Sequence, residues 1–142
     1  MKWINDDGGR AQAGFKGKTG DCAVRAIAIV AGLAYRKVYD DINCLAQRER
    51  ITKRKLKRSN ARTGVHRKTV DAYMESLGFT WVPTMKIGQG CTVHLRPDEL
   101  PTGTLLVRVS RHFTAVINGM IHDTYDCSRN GTRCVYGYYR KG

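Results

Sequence analysis

The chain has 142 residues, 42% of them hydrophobic, and a formal net charge of +13 at neutral pH. That is the size of one ordinary domain, spanning 1–142, and it is too apolar for a disordered polyelectrolyte. No apolar run nears the roughly 20 residues of a membrane span, and Met1–Arg10 lacks the apolar core of a signal peptide, so the expected location is the cytoplasm with no membrane partner.

Residues 1–20 read as an irregular lead-in, punctuated by Gly8, Gly9, Gly14, Gly17 and Gly20. A helix is then expected from Cys22 to Ala31, with Asp21 as N-cap and Gly32 as its stop. Apolar residues occupy nearly every side of it, the pattern of a buried central helix. A second helix is predicted over about Tyr35 to Gln47, with Val38, Ile42 and Leu45 as its apolar stripe.

The next stretch holds most of the positive charge. Arg48, Arg50, Lys53, Arg54, Lys55, Lys57, Arg58, Arg62, Arg67 and Lys68 face only one acid, Glu49, and contribute +9 of the +13. We read 48–68 as a partly helical basic insertion, broken by Gly64. Such a patch attracts nucleic acid or an acidic protein surface, although no aromatic residue interleaves it to stack on bases. The ordinary alternative is a solvated face that keeps the chain soluble.

A third helix is predicted from Arg67 to Leu77, ended by Gly78. From there the pattern turns to strands: Phe79–Val82, then Thr104–Val109, Phe113–Ile117, Met120–Tyr125 and Cys134–Arg140. Asn118-Gly119 between two apolar runs is a strong hairpin signal. Helices first and an antiparallel meander second make an α+β fold. Trp3, Phe79 and Trp81 read as core or lid residues.

Five cysteines, at 22, 44, 91, 127 and 134, form an odd set. With no secretory signal, reduced thiols are expected. No pair has zinc-knuckle spacing, and Cys127, Cys134 and His122 make a poor zinc signature, so no metal or cofactor is expected. Four of the five read as packing residues. Cys22 is the exception, because a helix N-terminus favours a thiolate.

The hairpin register supplies its partners. A two-residue Asn118-Gly119 loop pairs Ile117 with Met120, Val116 with Ile121 and Ala115 with His122. It thereby places His112 and Asp123 on one face as diagonal neighbours. His122 and Asp126 fall on the other face. Cys22 as nucleophile, His112 as base and Asp123 as orienting acid are the parts of a thiol hydrolase of peptide, isopeptide or amide bonds. The Cys22 backbone N–H is one expected oxyanion donor, and Gln12 is the candidate for the second, with Lys16, Lys18 and Asn5 behind it. Taken singly, Cys22 fits a small core residue and His112 a strand-end histidine. Chain order, helix tip, strand start and register agree only in the joint reading.

Gly20-Asp21-Cys22-Ala23 opening a buried helix, followed by His112 and Asp123 on adjacent strands, resembles the papain-like cysteine peptidase fold. It is similar to compact papain-like proteins of phages and prophages, which carry this motif and an H-x-x-A-V-I-x-G-x-I-H-D-T hairpin. The resemblance covers about 16–45 and 104–126, and Lys16 stands where the family carries glutamine. It implies helices around a buried central helix, packed on a C-terminal sheet, and hydrolysis of a protein or peptide substrate in the host cytoplasm. The alternative class is a non-enzymatic basic binding module, or an inhibitor on the same scaffold.

Overall fold

The computed structural model describes residues 1–17, 20–51 and 57–141. Among them, three helices and six strands form an α+β fold: β1 (Trp3–Asn5), α1 (Cys22–Ala31), α2 (Tyr35–Ala46), α3 (Arg67–Ser76), β2 (Phe79–Pro83), β3 (Thr104–Val109), β4 (His112–Ile117), β5 (Met120–Asp123) and β6 (Gly137–Lys141). The sheet order is β1-β5-β4-β3-β6-β2.

The sheet is mixed, not purely antiparallel as expected. β1 runs parallel to β5, pairing Trp3 with Ile121 and Asn5 with Asp123. The supposed lead-in therefore begins as an edge strand. Three residues are too few for periodicity to reveal, and only the exposed edge of β5 makes them a strand. Trp3 is 42% exposed there and belongs to no core.

β3 is a run of apolar residues because both faces of the sheet are covered. On one face Leu106, Ala115 and Tyr139 pack against Val24 and Ile27 of α1, Val38 and Ile42 of α2, and Val70 and Met74 of α3. On the other, Leu105, Val107, Val109, Val116 and Ile121 pack against the loop residues Leu95, Leu100 and Val135. A fully buried aliphatic side chain contributes about 1.5–3 kcal/mol, so the helical face, with its larger cluster, is the main anchor of α1. That helix contacts β4 and β3 directly.

The β4–β5 hairpin has the predicted register, Ile117 with Met120, Val116 with Ile121 and Ala115 with His122. Asn118 and Gly119 both lie at positive φ, 49° and 79°, the primed turn that suits the strand twist. β6 starts at Gly137, three residues later than expected, because Cys134 bridges to His94 instead.

Two further expectations are corrected. Cys91 and Cys134 form a disulfide. Backbone bonds from Val135 to Val93 (2.8 Å) and from Leu95 to Arg133 (2.8 Å) lay the two segments side by side. That pairing spans 43 residues and leaves no trace in local spacing. The described part of the basic stretch carries no helix before Arg67; it runs as turns and an Asn60–Gly64 bridge. No helix among the described residues is long and apolar enough to cross a membrane.

Candidate active site

Cys22 is the first residue of α1, so its backbone N–H is one that no helical carbonyl can satisfy. The preceding glycine is packed so closely that a Cβ on Gly20 would stand 3.0 Å from the Thr63 carbonyl oxygen. The loop after the basic stretch thus closes over the helix tip. Asp21 is the N-cap residue of α1, as expected, but its side chain makes no capping hydrogen bond; it is 1% exposed and its carboxylate is spoken for elsewhere. It accepts from the Arg25 guanidinium one turn on, from the Tyr35 hydroxyl and from Arg10 Nε at 3.3 Å. Two guanidiniums cancel a carboxylate that would otherwise oppose a thiolate beside it.

His112 begins β4, at the end of the sheet that the tip of α1 overhangs. Its Nε2 lies 2.7 Å from Asp123 Oδ2. Thr114 donates to the same oxygen at 2.8 Å, and the Thr124 N–H donates to Oδ1 at 2.7 Å, with Arg25 Nη2 3.8 Å away. Asp123 is therefore buried but fully partnered, which fixes its plane and, through it, the imidazole. With Nε2 committed to Asp123, Nδ1 is the ring nitrogen left to exchange a proton with a thiol. The Tyr125 ring lies over His112 at 5.4 Å between centroids.

Burial by itself pushes the Cys22 thiol up. A hydrogen bond to His112 and its positive charge, with the Phe113 N–H and the Arg25 charge, outweigh burial and bring the thiol below its ordinary 9.0. For His112, burial opposes the charged ring. The hydrogen bonds to Asp123, Cys127 and Cys22 more than offset it and hold the imidazole well above 6.5. Asp123 is raised by burial and lowered further by His112, Thr114 and the Thr124 N–H, so it stays a carboxylate. Both shifts favour the charged forms, a thiolate at Cys22 and an imidazolium at His112.

Cys127 is the residue that sequence reasoning missed. It is 1% exposed and its sulfur lies beside the same imidazole. Its sulfur, a His112 nitrogen and an Asp123 oxygen lie within 4.8 Å of one another. These three are the described residues best placed to hold a cation, and the Nε2–Oδ2 hydrogen bond would have to open to admit one. Cys127 follows the end of β5 in a loop, where no spacing rule marks it. Arg133 braces this region: it donates to the Ser110 carbonyl at 2.6 Å and to the Cys127 carbonyl at 3.4 Å.

Cys22 and His112 open into a cleft of about 430 Å³. Gln12 is exposed in the turn spanning 11–14 and does not line it. Asn5 is paired on β1, the carbonyl of Lys16 accepts from Arg62 Nη2 at 3.0 Å, and Lys18 lies outside the described residues. Neither Asn5 nor Lys16 lines the cleft, and Phe15 of the lead-in packs on Tyr35 and Tyr39 of α2.

Of the basic segment, Arg67 lines the cleft and stacks on Trp81 at 4.8 Å. Arg48, Arg50, Lys57, Arg58 and Lys68 are exposed, and Arg62 is half-buried. Lys53, Arg54 and Lys55 lie outside the described residues. Glu49 ties the segment down through Ser59 and Thr69, and Asn43 accepts from the Ala61 N–H at 2.9 Å. No family model, curated protein or solved structure matches this chain, so its functional reading rests on the site itself.

Proposed function

We propose that the chain is a papain-like thiol hydrolase of protein or peptide substrates, with Cys22 as nucleophile, His112 as base and acid, and Asp123 as orienting group. The observation that carries this reading is the 2.7 Å His112–Asp123 hydrogen bond, with Cys22, at a helix tip, and His112 lining the same cleft. The Cys22 thiolate attacks the substrate carbonyl carbon, and the carbonyl electron pair moves onto oxygen, towards the Cys22 N–H. The imidazolium then gives its proton to the departing amine as the C–N bond breaks, leaving a thioester. Neutral His112 takes a proton from an attacking water. The S–C bond breaks, the carboxylic acid leaves, and the thiolate–imidazolium pair is restored.

The exposed cations of 48–68 are the natural place for an acidic partner or nucleic acid to dock beside this cleft. Cys44, exposed and free, is an internal standard for the test. Near pH 7, iodoacetamide should alkylate Cys22 about tenfold faster than Cys44, because the thiolate and not the thiol is the nucleophile. His112→Ala should erase that difference, and hydrolysis of a peptide library should require Cys22. Equal labelling of the two cysteines, or labelling untouched by His112→Ala, overturns the proposal.

A further inference from the structure

The cleft around Cys22 has an unbalanced wall. Arg25, Arg67, Arg108 and Arg111 line it, and no aspartate or glutamate does among the described residues. Two of the four are occupied: Arg25 by Asp21 and Asp123, and Arg67 by Asp71 at 3.8 Å and the Trp81 ring. Arg108 and Arg111 have no carboxylate within 4.0 Å among the described residues. Arg108 lies over Tyr136 at 5.5 Å, half-buried, with its proton affinity lowered first by that burial and then by the Arg67 charge. Arg111 sits at φ 55° in the two-residue turn before His112. A non-glycine residue there is strained, and such strain persists where its surroundings hold it; Arg133 bonds the adjacent Ser110 carbonyl at 2.6 Å.

We infer that this cleft takes an acidic peptide, with an aspartate or glutamate beside the scissile bond held by Arg108 and Arg111. The inference rests on the thiol-hydrolase reading of the same site and names its substrate class. A guanidinium fork matches a carboxylate in two parallel hydrogen bonds, and neither cation must break an ion pair within 4.0 Å among the described residues to make them. The incoming carboxylate also relieves the repulsion between Arg67 and Arg108. Arg108 and Arg111 lie outside the basic segment, so the preference belongs to the site and not to the patch at 48–68.

The test compares an anionic with a neutral alkylating agent of equal size on the intact protein. Iodoacetate and iodoacetamide both form an S–C bond and expel iodide, and differ only in charge. The iodoacetate-to-iodoacetamide rate ratio at Cys22 should exceed that at Cys44 about tenfold at low salt. It should collapse in about 0.5 M salt and in Arg108→Gln with Arg111→Gln, and persist in Arg140→Gln, an exposed cation outside the cleft. A glutamate-rich peptide should protect Cys22 from iodoacetamide, and the hydrolysed peptides should carry Asp or Glu at the cut. Fast iodoacetamide labelling with a ratio equal to that of Cys44, or better protection by a single-stranded oligonucleotide, overturns the acidic-peptide inference and leaves the hydrolase standing. Slow iodoacetamide labelling of Cys22 overturns the hydrolase, and this inference with it. Should the double variant fail to fold, salt dependence of the wild-type ratio decides alone.

Discussion

Asp21, Arg25, His112 and Asp123 are largely buried, and each meets a counter-charge within 3.8 Å. Arg48, Arg50, Lys57, Arg58 and Lys68 carry as much charge, but they are exposed and pair with no carboxylate among the described residues. The contrast follows from solvation. A charge withdrawn from water needs a partner in fixed geometry, whereas a hydrated charge does not. The site end of the molecule therefore has one arrangement, a linked series of opposite charges from Arg10 through Asp21, Arg25 and Asp123 to His112. The basic segment has a potential without a geometry. Chemistry is built from the first kind of charge and attraction from the second.

That comparison can be broken most forcefully at His112. His112→Ala removes the proposed proton carrier, and on that proposal peptide hydrolysis should fall by about 10²–10⁴-fold, the range of a general acid–base contribution. Retention of the rate would detach the buried network from catalysis. Next in size is Asp21→Asn, which leaves Arg10 and Arg25 facing a neutral amide in a buried site. We expect a loss of about 3–5 kcal/mol in urea unfolding, the cost of removing one member of a buried ion pair. An unchanged midpoint would mean that water, not Asp21, satisfies those guanidiniums.

The pH dependence sharpens the same contrast. Cys22 lies below its ordinary value and His112 above its own, so the ion pair exists between the two folded-state values. The Cys22 contribution to stability is present above its unfolded value and is lost as pH falls through its folded one. The His112 contribution is full below about 6.5 and is lost as pH rises through its raised folded value. Alkylation of Cys22 should thus reach its plateau at a lower pH than alkylation of Cys44. Parallel profiles for the two cysteines would remove the ion pair. The smallest effect belongs to the exposed cations: Lys57→Gln with Arg58→Gln should change stability by no more than about 0.5 kcal/mol. The same pair should weaken binding of a polyanion in a salt-dependent way, as filter or anisotropy titrations would register.

Much of the scaffold was legible because its signals are local. α1 spans Cys22–Ala31, the range its apolar run and Gly32 predict, and β4–β5 has the register that Asn118-Gly119 dictates. With a side-chain period of two, that register alone put His112 and Asp123 on one face. Other expectations failed where a residue's role depends on a distant neighbour. Asp21 holds the N-cap position that its place in the sequence predicts, yet Arg10, Arg25 and Tyr35, not the helix N–H groups, take its carboxylate. Gln12 is close to Cys22 in sequence, but it does not line the cleft.

From its residue order alone this chain determined three helices, the β4–β5 hairpin and the identities of a thiol, an imidazole and a carboxylate in compatible positions. Periodicity, turn chemistry and helix ends act over a few residues and survive in any one-dimensional reading. Only the tertiary structure decided that Cys127 joins His112, that Cys91 bonds Cys134, that β1 pairs with β5, and that Arg108 and Arg111 line one cleft with Cys22. Those outcomes are set by burial, which compels distant charges and sulfurs to find one another once water has been excluded.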